Sequence, residues 1–337
     1  MHTYVVAFVI GLAACYILTP PVSRLAARLG AIDRPDHRKV HKAPVPRMGG
    51  LAIYAGFVAA IFASVHLSHE IAGLLLGGTL IVIIGVIDDI CQLPAKLKLL
   101  GQVAAAGVLV LFGVKIEWLT YPGTGGYLYM DHFSVPVTIL WVVSMTNALN
   151  LIDGLDGLAA GVSMIASLTV CLVAVQNGLY PVAVMTAALA GATFAFIKYN
   201  FNPASIFMGD TGSMFLGYML AAISVFGVVK SAAAIALLTP AVALGLPIID
   251  TCCAILRRYS NGKPIFQPDK GHLHHRLLAA GLSQKQAVFL MYLISAALSA
   301  SAVFFTGYVN WAGLAVIGLV IAAVFVGAKK MGILNDI

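Results

Sequence analysis

The sequence predicts an all-α integral membrane protein of about eleven transmembrane helices. Three observations carry that expectation: an extreme apolar composition, a succession of apolar runs of spanning length, and a lopsided distribution of basic residues. Hydrophobic residues make up 61% of the 337 and charged residues 10%, with a mean hydropathy of +0.97. So little polar surface cannot clothe a water-soluble fold of this size, and lipid is the expected solvent. A hydrocarbon core about 30 Å thick takes roughly 20 apolar residues in a helix. Eleven runs approach or exceed that length, at 3–23, 49–66, 71–87, 99–116, 134–150, 158–176, 180–197, 211–228, 232–256, 286–306 and 309–328, with 134–150 the weakest of them.

Taken in order, the first run opens Met1-His2-Thr3-Tyr4, without a basic n-region or an Ala-x-Ala site. It is therefore expected to be a retained helix and not a signal peptide. The ninth carries Pro240, Gly245 and Pro247. Proline removes helical hydrogen bonds and bends the axis, so span nine is expected to be bent. A bend that opens a lateral apolar groove and a kink packed against its neighbours are both compatible with these residues. The five cysteines show no CxxC or metal-ligand spacing and read as small buried hydrophobes without disulfides. With no repeat, low-complexity tract or soluble boundary, residues 1–337 are expected to form one polytopic domain.

Orientation follows from Lys and Arg near span ends, which are retained in the cytoplasm. With the N-terminus outside, 18 of the 20 basic residues fall inside and only Lys115 and Lys230 outside. The C-terminal Lys329–Lys330 pair is then cytoplasmic, which requires an odd number of spans. The net charge of +7 is thus accounted for by topology and an anionic ligand, and nucleic acid is not expected as a partner.

The acidic residues are equally one-sided. Ten of thirteen lie on the cytoplasmic side, and only Glu70, Glu117 and Asp131 face out. Carboxylates near a membrane are costly and mark functional sites. Mixed with Lys and Arg, they suit a site that binds a divalent cation and phosphates together. Four constellations stand out. Asp88–Asp89 ends span three, with Lys96 and Lys98 in the following loop. Adjacent carboxylates ionise together cheaply only around a cation, although a solvated helix end would also accept them. Asn147, Asn150, Asp153 and Asp156 recur every three residues, near one helical face, with Gly154 and Gly157 permitting a tight turn. Asp210, in Phe207-Met-Gly-Asp-Thr-Gly-Ser213, precedes span eight. It reads as an N-cap or as the holder of a phosphate-bound ion, with the amides around Gly209 and Gly212 as a phosphate seat. His272-Leu-His274-His275-Arg276 has no cysteine nearby and has basic neighbours, so it suits an anion grip better than zinc.

These residues carry a resemblance. Asp-Arg-Pro-x-x-Arg-Lys-x-His-x-x-Pro-x-Pro-Arg-x-Gly-Gly at 33–50, the Asp88–Asp89 pair, the Asn/Asp run at 147–157, Phe-Met-Gly-Asp-Thr-Gly-Ser and the His-x-His-His loop occur in that order. The chain from about residue 20 to 285 is similar to the polyprenyl-phosphate N-acetylhexosamine-1-phosphate transferases, glycosyltransferase family 4. The 33–50 segment and the interrupted histidines resemble the undecaprenyl-phosphate N-acetylglucosamine-1-phosphate transferase branch. Three consecutive histidines mark the phospho-N-acetylmuramoyl-pentapeptide transferases, the nearest alternative.

The resemblance implies transfer of a sugar-1-phosphate from a UDP-N-acetylhexosamine to undecaprenyl phosphate, on the cytoplasmic side of a bacterial inner membrane. It implies magnesium, with manganese as the substitute ion, on Asn150 and Asp210. Asp88 and Asp89 would orient or deprotonate the lipid phosphate, with Asp153 and His272 also placed in the catalytic group. Asp156 would meet the uracil edge, Phe207 would stack on uracil, and Lys96, Lys98, His272, His274, His275 and Arg276 would grip phosphates. Membrane lipid surrounds the protein, and homodimers occur in the superfamily. A secondary transporter would place its carboxylates near the bilayer midplane, and a scaffold would not need this apparatus.

Overall fold

The computed structural model describes residues 2–35, 43–120, 127–231, 235–262 and 271–305, together with Gly318. The described chain is helical, with two short antiparallel β-pairs. Helix α1 (Thr3–Leu29) leads to strand β1 (Ile32–Asp33), which pairs with β2 (Val45–Pro46). Then come α2 (Gly50–Ser64), α3 (His69–Cys91) and α4 (Ala95–Leu111). Strand β3 (Trp118–Thr120) pairs with β4 (Tyr127–Tyr129) in register Leu119 to Leu128. Helices α5 (Ser134–Ile152), α6 (Leu158–Gln176), α7 (Tyr180–Asn200) and α8 (Gly209–Ser231) follow. The last four are α9 (Ile235–Ala243), α10 (Gly245–Ser260), α11 (Leu273–Ala279) and α12 (Gln284–Phe305).

Ten of the eleven expected runs coincide with these helices to within a few residues; the eleventh, 309–328, lies outside the described residues. Seven helices (α1, α3, α5, α6, α7, α8 and α12) are long and apolar enough to cross a membrane. The bent α9–α10 pair makes eight if counted as one span. Helices α2 and α4, with 15 and 17 residues, are shorter. At 1.5 Å per residue, α2 reaches only about 22 Å. Span nine is bent as the prolines lead one to expect: α9 and α10 meet at 72°.

Helix α8 is the axle of the bundle, enclosed over nearly its whole length and packed against α3 and α5. Small residues set the closest approaches, as expected where lipid gives no hydrophobic drive between helices. A methyl group on Gly191 of α7 would overlap the Phe8 carbonyl of α1. Several buried polar side chains find partners inside the bundle. Thr19, Thr146 and Thr193 return their hydroxyls to the carbonyl four residues back, and Trp141 Nε1 donates to Ser224 Oγ at 3.0 Å, tying α5 to α8. In hydrocarbon such groups have no water to fall back on.

Candidate active site

At one end of the bundle, the C-terminus of α3 meets the N-terminus of α8. Asp89 closes that junction. Its Oδ1 accepts from the Asp210 amide at 3.1 Å, and its Oδ2 from the Thr211 amide at 3.1 Å and the Thr211 hydroxyl at 2.6 Å. It therefore caps α8 from another helix, filling orphan amides with a carboxylate at the positive end of the dipole. Gly209 has φ +71°, and any side chain there would overlap the Asp89 carboxylate. Two amides of the expected phosphate seat, those of Asp210 and Thr211, are thus spent on Asp89. Arg47 secures the other side, its Nε donating to the Asp89 carbonyl at 3.0 Å and Nη2 to the Asp88 carbonyl at 3.4 Å. These are last-turn carbonyls of α3, which a cation stabilises.

Asp88 points the other way, accepting from the Leu93 amide at 2.7 Å. Lys98 bridges two carboxylates, with Nζ 2.7 Å from Asp210 Oδ2 and 3.4 Å from Asp88 Oδ2. Lys98 thus stands between the Asp88 and Asp210 carboxylates, and Asn150 lines the same cleft as Asp210. Oxygens of Asp88, Asp89 and Asp210 lie within 4.8 Å of one another. Hard oxygen donors at this density fit a magnesium-type ion, and the Lys98 ammonium already stands among them as a positive charge. Lys96 is exposed and is not among the residues lining the cleft.

The turn between α5 and α6 supplies the facing wall. Helix α5 stops at Ile152, with Asp153 leaving helical backbone at ψ 53°. The expected single helical face therefore ends at Asn150. Asn147 is not part of the wall: its amide donates to Gln102 Oε1 at 2.6 Å. Asn150, Asp153 and Asp156 do reach the cleft. Withdrawal from bulk water pushes the Asp153 carboxyl up to about 8, helped by the charges of Asp210, Asp89 and Asp156. Asp156 Oδ2 accepts from Asn202 Nδ2 at 2.9 Å and the Ala204 amide at 3.1 Å, fixing the α7–α8 connection. Phe207, in that connection, lines the cleft and is stitched to the β2 segment through its amide to the Pro46 carbonyl at 2.8 Å.

The histidines separate in role. His275 lines the cleft, next to His274 at 4.2 Å between ring centroids. His274 is buried, its Nδ1 without a hydrogen-bond partner and its ring against Gly154, where a side chain would overlap it. Burial, then the neighbouring His275, lowers its pKa to about 3, so it is a neutral packing ring at working pH. That corrects its reading as a phosphate grip, because a neutral enclosed imidazole offers no charge. His272 is buried and bonded to Asp250, with Nδ1 2.9 Å from Oδ2. Arg276 Nε donates to the Gly271 carbonyl at 3.0 Å.

The resulting cleft of about 290 Å³ joins Asp33, Arg47, Asp89, Asn150, the Asp153–Asp156 turn, Asn200, Phe207–Asp210 and His275. Arg47, Gln102, Asn200, Asn202 and Asp250 were not singled out from the sequence. Arg47 was visible only within the 33–50 motif and as a charge on one side, Asp250 only as such a charge, and Gln102 and the asparagines only as polar residues in or after a span.

The model of the family described as Glycosyl transferase family 4 matches residues 71–228. Over its whole length the chain is 41% identical to a Bacillus subtilis (strain 168) protein named probable undecaprenyl-phosphate N-acetylglucosaminyl 1-phosphate transferase, covering 94% of it. It is 41% identical, over 88% of this chain and 82% of the other, to a decaprenyl-phosphate N-acetylglucosaminephosphotransferase of Mycobacterium tuberculosis (strain CDC 1551 / Oshkosh). The Escherichia coli (strain K12) undecaprenyl-phosphate alpha-N-acetylglucosaminyl 1-phosphate transferase is 28% identical over 82% of this chain and 77% of its own.

Proposed function

We infer, since this chain belongs to glycosyl transferase family 4, that it transfers N-acetylglucosamine-1-phosphate from UDP-N-acetylglucosamine to undecaprenyl phosphate. The products are a lipid-linked sugar pyrophosphate, which starts a cell-envelope polysaccharide, and UMP. The observation that carries the reading is the meeting of Asp88, Asp89, Asp210 and Lys98 beside a cleft lined by Asn150, Asp153, Asp156 and Phe207.

An oxygen of the lipid phosphate attacks the sugar-bound phosphorus, and the bond to the bridging oxygen breaks toward UMP. Joining two phosphates demands alignment and charge neutralisation more than a strong base. Asp88, free of the α8 cap, orients the attacking phosphate and takes its proton if it carries one. Lys98, His275 and Arg276 offset phosphate charge, Asp156 and Phe207 hold uracil, and Asp153 supports the nucleotide. Mg2+ would be held by Asp210 and Asn150, with Asp88 beside them, and would supply further neutralisation of pyrophosphate charge. Direct displacement is preferred to a covalent aspartyl phosphate because the lipid nucleophile is already anionic.

The whole-chain reading has eleven spans, the N-terminus outside, the C-terminus and cleft in the cytoplasm of a bacterial inner membrane, and a lipid path along the α9–α10 bend. A homodimer is carried over from the resemblance. Mass spectrometry of the lipid made by purified protein from UDP-N-acetylglucosamine, against UDP-N-acetylmuramoyl-pentapeptide, tests the assignment. A GlcNAc pyrophosphate lipid supports it; product from the pentapeptide donor alone moves the chain to the other branch.

A further inference from the structure

Asp250 is the acid of α10 that the transfer chemistry leaves without a task. It sits on the bent element, just after the 72° break, and its side chain is 8% exposed. A buried carboxylate is expensive unless its oxygens are matched by donors. Here both are. Oδ1 accepts from the Leu273 amide at 2.8 Å, and Oδ2 lies 2.9 Å from His272 Nδ1. A carboxylate oxygen can only accept, so the proton of His272 resides on Nδ1 and the ring orientation is set. The Leu273 amide is the first of α11, so the same carboxylate caps that helix.

Seven residues along α10, Arg257 gives a second anchor. Gly271 packs directly on its guanidinium, where any side chain would overlap it. Two turns of one helix therefore hold the segment that starts α11. From His272 the order passes inward. Its ring stacks parallel to His274 at 5.8 Å, His274 presses on Gly154 in the turn bearing Asp153 and Asp156, and His275 reaches the cleft. The fixed end of this row is Asp250.

We propose that Asp250 is a positioning residue of the transfer reaction: by binding His272 Nδ1 and the Leu273 amide together, it holds α11 so that His275 meets the donor phosphates in the cleft. It touches no substrate and acts through the histidine row. The same contacts tie the bend of α9–α10 to the nucleotide side of the cleft, so movement of one shifts the other. The claim rests on the sugar-phosphate transfer proposed above.

Asp250→Asn is the informative variant. Its single oxygen can still accept from Leu273, but its NH2 confronts His272 Nδ1 and forces the other tautomer, while the fold is kept. Transfer kinetics of native protein, Asp250→Asn, His275→Ala and the double variant are compared, with hydrogen exchange of the α11 amides in native protein and Asp250→Ala. The expected result is a KM for the sugar nucleotide raised roughly tenfold or more in Asp250→Asn. In the His275→Ala background the same change adds less than about twofold, because both act on one element. Equal effects in the two backgrounds, or an unchanged KM in Asp250→Asn, overturn the proposal. Asp250→Ala is expected to speed exchange at Leu273–Arg276, and unchanged exchange there also overturns it. Native protein that makes no lipid product contradicts the assigned reaction, while the exchange arm still reads the hold of Asp250 on α11.

Discussion

Two neighbouring aspartates at the end of α3 have different occupations. Asp89 is consumed by three donors of α8, whereas Asp88 accepts one backbone amide and shares Lys98 with Asp210. Asp88→Asn should therefore abolish most transfer, by about 100-fold or more, while leaving the thermal midpoint nearly unchanged. Asp89→Asn turns an NH2 toward α8 donors and should cost about 1–2 kcal/mol of stability as well as activity; equal midpoints for the two variants would contradict the division. Asp153 gives a pH signature. Its folded-state pKa, about 8, lies above the ordinary carboxylate value of 3.8. Its contribution to stability is full below 3.8 and is lost as pH rises through 8. In chelator, native protein should lose thermal stability between about pH 4 and 8, and Asp153→Asn should flatten that loss. Sequence spacing found Asn150, Asp153, Asp156 and Asp210 because polar side chains at the end of an apolar run stand out. It could not separate Asp88 from Asp89, nor exclude Asn147 and His274, because those outcomes depend on partners such as Thr211, Gln102 and Gly154 that are remote or unremarkable in sequence.

At the level of elements, the site exists because three helix ends come together without side chains between them. A methyl group on Gly85 of α3 would run into the Thr211 backbone, and one on Gly50 of α2 would overlap Gly212 of α8. Gly85→Ala should displace the start of α8, moving Asp210 from Lys98. Transfer is expected to fall at least tenfold, with a lower thermal midpoint, and a fully active Gly85→Ala protein would refute this packing account. The helices themselves were legible, since a run of apolar residues between polar breaks leaves the backbone little alternative in lipid. The bend was legible from Pro240, Gly245 and Pro247. The seven-residue α11 and the two-residue strands were not, because elements so short are fixed by tertiary contacts such as Asp250 to Leu273 rather than by periodicity.

Across the whole molecule, composition announces a multi-pass protein and the family relationship gives its chemistry, while the orientation rests on the placement of basic residues. In otherwise cysteine-free protein, native Cys91, which is exposed at the α3 end, should react with an impermeant maleimide only after cells are opened. Lys115→Cys should react in intact cells, and the reverse pattern would invert the topology. The central claim is that the Asp88–Asp89–Asp210–Lys98 junction performs sugar-phosphate transfer. The most direct measurement follows radiolabelled sugar phosphate from UDP-N-acetylglucosamine into undecaprenyl phosphate by detergent-purified protein, with magnesium, with chelator and with Asp210→Asn. Labelled lipid that needs magnesium and vanishes in the variant is the expected result; labelled lipid formed equally well by Asp210→Asn, or in chelator, would contradict the account.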